Sequence, residues 1–481
     1  MKAAEIPDWD PGPCGMSVRT DSLTVFVDLN RMPAPVAASF CRTLGIPEEY
    51  GGSFLPCSDG SALQQKARQE FLDLLESDPA LAFQYATALS AFIHETRHVH
   101  DLRATRIGAE LLLSEFEVYS GVQRSISSLR NWLEKDSNRR IRIPLNRTIS
   151  QYLADDLFPS DPLRRSVEVA QRTASYWDAP SRFQTVPGTS IRHIYEALGF
   201  VTQIEWVREV FGPEVANELA EKILGGEPWG SPYYRPLNIL ANVCHARGLE
   251  FDPEPHDVSL LLFEALNMVG LDQAFRNGVP TDHHPGAWFD RFAHYYANVA
   301  TRNDVPPEKK ARAAVWLALR SEGFDDLSTR IELADRHIAE KQDQLLKGVI
   351  ENATSGEGGD EALLLLSEIG IDFRDMQRII SKDEGYFIST QYVDALMRGD
   401  FHYVFVRVLT EDRRLEDFRT ASSMPGNHPG GVRHASLNSQ IARLLISGRN
   451  IRSGTFFEEI VFDDLTIDLA DSHGLRFRVV F

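Results

Sequence analysis

The chain has 481 residues, of which 43% are hydrophobic, 25% charged and 10% aromatic. That length fills a large core and argues for two or three structural units. The formal net charge of −19, from 50 basic and 69 acidic side chains, repels nucleic acid and anionic membrane surfaces, so neither is an expected partner.

The opening MKAAEIPDWDPGPCG lacks the apolar run of a signal peptide, and no stretch of the chain is apolar enough to span a membrane. Cys14, Cys41, Cys57 and Cys244 are scattered without a CxxC pair, as expected of reduced thiols. A cytoplasmic protein is the expectation.

The fold class expected is mainly α with minor β. The first 60 residues read as irregular, rich in Pro and Gly, with one strand at Leu23–Leu29. Helical periodicity then covers Gln64–Ser77, Pro79–Arg103 and Ala109–Trp132, with breaks at Asp78-Pro79 and Gly108. The patch Arg139–Arg142 reads as a solvated loop or helix end. Further helical patterns lie at Leu163–Trp177, Ser190–Phe211 and Glu214–Leu224.

The turn-rich run Gly225–Pro232 divides the chain into residues 1–230, expected to form a metal-binding catalytic domain, and residues 231–481. The second part is expected to be helical, at Leu237–Arg247, Val258–Met268, Trp288–Ala300, Pro307–Ser321, Ser328–Ile350 and Glu361–Ile369. It ends in a small sheet drawn from His402–Leu409, Thr455–Phe462, Thr466–Leu469 and Leu475–Phe481. This C-terminal part has the length for substrate or partner recognition.

The chemistry is concentrated in His94-Glu95-Thr96-Arg97-His98, an HExxH pattern inside a helix. Histidines four apart share one helical face, so both rings reach one metal ion. Glu95 projects beside it, where a carboxylate serves as general base. Such a site suits Zn²⁺, which takes imidazole nitrogens and keeps an open position when catalytic. Leu81, Tyr85, Ala88, Leu89, Phe92 and Ile93 supply an apolar stripe upstream, so the motif continues a packed helix. A catalytic zinc needs a third protein donor, and Asp101, Glu115, Glu117, His193 and Glu196 all compete. Asp101 suits a supporting role better, accepting the distal N–H of His98 one turn away. His100 points off that face, towards solvent or substrate.

The segment HETRHVHDLRATRIG, at His94–Gly108, resembles the active-site helix of zincin-type metallopeptidases, in particular a bacterial branch of that clan. Glu196-Ala197-Leu198-Gly199 is loosely similar to the second helix of gluzincin-like members, which carries their third ligand. The resemblance implies His94, His98 and Glu196 as zinc ligands, Glu95 as general base, and a peptide or protein substrate. It covers two short segments and does not reach the C-terminal half. His193, one turn before Glu196, is the expected donor to a developing oxyanion, with Tyr195 and Tyr119 as alternatives. The competing reading is a helical interaction or regulatory protein whose metal site is structural or vestigial.

Overall fold

A computed structural model describes residues 16–19, 24–46, 54–55, 60–118, 141–144, 188–225, 231–249, 255–324, 327–350, 405–409, 415–420, 457–462, 466–471 and 476–480. It also describes single positions between 165 and 181 and at 373, 374 and 377. The protein is mainly α with minor β, as its periodicities predict. The expected helix Glu361–Ile369, the loops Ala353–Asp360 and Ser423–Gly431, Tyr119 and the turn at 226–230 lie outside the described residues.

In the N-terminal half, helix α1 spans Ala34–Leu44, α2 Gly60–Ser77, α3 Pro79–Ala104 and α4 residues 106–118. The start of α3 follows its local chemistry. The Asp78 side chain accepts from the Ala80 N–H at 2.8 Å, and Pro79 occupies the first turn, where its missing N–H costs nothing. The break after α3 falls at Thr105, not at Gly108, which sits inside α4. Gly108 is nonetheless needed there, because a Cβ would stand 2.4 Å from the Leu102 carbonyl oxygen.

Downstream come α5 (Ile191–Phe211), α6 (Pro213–Gly225), α7 (Tyr234–His245), α8 (Pro255–Asn267), α9 (Leu271–Ala274), α10 (Pro285–Ala300), α11 (Lys310–Ser321) and α12 (Leu327–Ile350). Helix α8 is the hub: every residue from Asp257 to Asn267 is buried, and it packs on α5, α10 and α11. A helix apolar on all sides belongs inside a large core. Its two buried acids are paired, Asp257 accepting from the Tyr296 hydroxyl at 2.7 Å and Glu264 from Arg312 at 3.3 Å.

The strands are β1 (Met16–Arg19), β2 (Thr24–Asp28), β3 (Phe54–Leu55), β4 (Ile141–Pro144), β5 (Phe275–Arg276), β6 (Val279–Pro280), β7 (Phe405–Leu409), β8 (Leu415–Thr420), β9 (Phe457–Phe462), β10 (Thr466–Asp471) and β11 (Arg476–Val480). One sheet runs β1-β2-β7-β8-β3 and another β11-β10-β9-β4, with β5 and β6 forming a small hairpin. Strand β2 pairs in parallel with β7, so both ends of the chain build one sheet. Strand β1 and helix α1 correct the reading of the first 60 residues as irregular apart from one strand. Ile141 and Arg142 of the basic patch lie in an edge strand rather than a solvated loop. No helix among the described residues is long and apolar enough to cross a membrane. Cys41 and Cys244 are free thiols.

Candidate metal centre

Helices α3 and α5 pack closely and run antiparallel, since Ser90, Arg97 and Thr105 meet Gln203, Thr202 and Tyr195 in turn. Three cross-helix hydrogen bonds fix their register. Gln203 donates to Ser90 at 2.9 Å, Arg97 donates to Thr202 at 3.1 Å, and Thr105 and Tyr195 share a hydroxyl contact at 3.0 Å. Between these braces His94 Nε2 lies 3.1 Å and His98 Nε2 3.5 Å from the same atom, Glu196 Oε2. Ligand atoms of the three residues all fall within 4.8 Å of one another. The rings stand nearly perpendicular, with centroids 4.5 Å apart.

This approach depends on Gly199, one turn beyond Glu196. A Cβ at that position would lie 2.6 Å from His94 Cε1 and 2.8 Å from both ring nitrogens. The donor set of two imidazoles and one carboxylate is one that divalent metals such as zinc accept. The residues therefore fit a divalent metal, with His94, His98 and Glu196 as its holders. A second gathering, Glu110, Asp272 and His337, fits one poorly. Glu110 already accepts from the Leu271 N–H at 2.7 Å and from Arg106, and Lys341 lies 3.6 Å away, so cations fill the space.

Electrostatics favour an ionised Glu196. Burial pushes its carboxyl up, but hydrogen bonds from His94 and His98 outweigh that and hold it far below the usual range. Burial pushes His98 down, while the Glu196 hydrogen bond and the charges of Glu196, Glu95 and Asp101 raise it overall. Glu95 is half-buried and close enough to His98 to shift it, with no hydrogen bond or ion pair among the described residues.

Several expectations are corrected. Asp101 does not support His98. It is fully buried and takes both oxygens to Arg97 Nε, at 2.8 and 2.9 Å, with His100 Nδ1 at 3.2 Å. An arginine four residues earlier, carrying a permanent charge, engages both carboxylate oxygens ahead of the imidazole three residues earlier. Nδ1 of His94 and of His98 are buried without a hydrogen-bond partner among the described residues. His100 is also fully buried, and burial pushes its pKa down to about 4 against the pull of Asp101, which keeps the ring neutral.

Glu115 and Glu117 do not join the histidines, and Glu117 instead pairs with Arg165 at 2.6 Å. The Tyr195 hydroxyl is tied to Thr105 at the end of α3, so it is not free for an oxyanion. His193 belongs to a capping box: its Nδ1 accepts from the Ser190 N–H at 3.0 Å and contacts Ser190 Oγ at 2.6 Å. With Nδ1 accepting, the neutral ring carries its proton on Nε2. His284 is buried and caps α10 by accepting from the Gly286 N–H. Asp290, on the same helix, is likewise buried.

Sequence reasoning missed Gly199 as a contact and Tyr233, whose ring lies 5.7 Å from that of His94. A glycine inside a long helical pattern is itself a signal of close packing. Tyr233 offers no such local signal. Compared with known proteins, the chain has no significant match to a family model, a curated protein or a solved structure.

Proposed function

We propose that this protein is a zinc-dependent hydrolase, most simply a cytoplasmic peptidase acting on a peptide or protein. The observation carrying this reading is the convergence of His94 Nε2, His98 Nε2 and Glu196 Oε2, with Glu95 next along the helix. Zinc held there supplies Lewis acidity, lowering the pKa of water towards neutrality and polarising a carbonyl. Glu95, which spends its carboxylate on no structural partner among the described residues, takes the proton from the attacking water. It then returns that proton to the leaving amine, the dual role of a general base. His193 Nε2–H is the proposed donor to the developing oxyanion, its ring fixed by Ser190.

Glu95→Gln is expected to retain stoichiometric zinc while peptide hydrolysis falls by about 100-fold or more. Elemental analysis and a peptide-library cleavage assay measure the two together. A glutamine variant that cleaves at the parental rate rules out the general base. Wild-type protein purified from zinc-replete medium without metal rules out the site.

A further inference from the structure

The two oxygens of Glu196 face different partners. Oε2 is the inner one, shared between the two histidines, while Oε1 turns towards Arg192 Nε at 3.9 Å. Arg192 lies one turn earlier on α5, the spacing at which helical side chains meet. Its other side is taken by Asp178, whose Oδ1 is 3.4 Å from Nη1. The Arg192 side chain is 55% exposed and that of Glu196 only 21%, so the guanidinium stands on the solvent side of the cluster.

This division of the carboxylate bears on coordination. A glutamate offering both oxygens, with two imidazoles, supplies four protein donors, which together with a bound water make the metal five-coordinate. One oxygen leaves three protein donors and an open position, the count of a catalytic zinc. We propose that Arg192 is a positioning residue that keeps Oε1 turned outwards, so that Glu196 gives a metal a single oxygen. The inference rests on the metal reading above. A guanidinium suits the role because its charge is permanent and its donors lie in a rigid plane. An exposed pair of this kind contributes little to folding, so substitution alters the site's geometry without threatening the fold.

The test is the visible absorption of the full-length protein loaded with Co²⁺, because four-coordinate Co²⁺ absorbs more strongly than five-coordinate. Wild type is expected to show the intense four-coordinate band. In Arg192→Met the band should fall roughly twofold or more as Oε1 joins the metal. Arg192→Lys should recover much of the lost intensity, and the melting temperature should stay the same in all three. An Arg192→Met band as intense as wild type overturns the role of Arg192 and leaves the metal site standing. Wild-type protein that takes up no Co²⁺ overturns the metal reading, and the role of Arg192 with it.

Discussion

Replacing Gly199 with alanine is expected to weaken metal binding by at least about 100-fold while the chain stays folded. The added Cβ would stand 2.6 Å from His94 Cε1 and 2.8 Å from both ring nitrogens, closer than carbon approaches any of these atoms. The His94 ring is buried against Glu196, and close-packed interiors give a buried ring little room to step aside without leaving its partner. Metal ligands tolerate displacements of only about 0.2 Å, so a ring pushed aside is lost as a donor. Folding is affected far less. Alanine is favoured over glycine in a helix by about 1 kcal/mol, which offsets part of an overpacking cost of about 1–3 kcal/mol. Zinc competition titration against circular-dichroism melting separates the two effects. Parental zinc affinity in Gly199→Ala would mean that the His94 ring does not stand against α5 as described.

The site was legible only where its information is local. The HExxH spacing places His94, Glu95 and His98 on one helix by geometry alone, and the Asp78-Pro79 start signal lies just before that helix. Glu196 lies 102 residues from His94, and only a loose resemblance singled it out among five competing donors. The polar tail of the motif misled for a different reason. His100, expected to face solvent or substrate, is buried, as are its neighbours Arg97, Asp101 and Arg103. Arg97 pairs with Asp101 and reaches Thr202 on α5, and His100 meets Asp101, pairings that periodicity does not report. The same non-locality hid the N-terminal sheet, since β2 pairs with β7 nearly the whole chain away. Helix α1 was more accessible. Pro33 before it and Gly45 after it, at φ 72°, are ordinary start and stop signals that the Pro/Gly-rich composition obscured.

Removing the Asp101 carboxylate is expected to cause the largest loss of stability of any single change at this site. Arg97 is 1% and Asp101 0% exposed, and the pair is closed by two short hydrogen bonds. Breaking a buried ion pair by deleting one partner costs about 3–5 kcal/mol, because the remaining charge is stranded. The loss spreads to α5, since Arg97 also holds Thr202. Acid should act in the same direction. Burial raises the Asp101 carboxyl, but the Arg97 charge and the His100 hydrogen bond outweigh it and leave the group depressed. A depressed carboxyl stabilises the fold above its unfolded pKa of about 3.9, and that stability is lost as pH falls through the folded value. His100 adds an earlier limb. Its folded pKa of about 4 lies below the free value of about 6.5, so folding weakens between those two pH values as the unfolded chain takes up the proton first. Urea denaturation of wild type and Asp101→Asn from neutral pH to about pH 3 measures both effects. The asparagine keeps the shape and removes the charge, so it should be several kcal/mol less stable at neutral pH and flatter below about pH 4. Equal neutral-pH stability of the two proteins would show that the pair does not anchor the metal-binding helix.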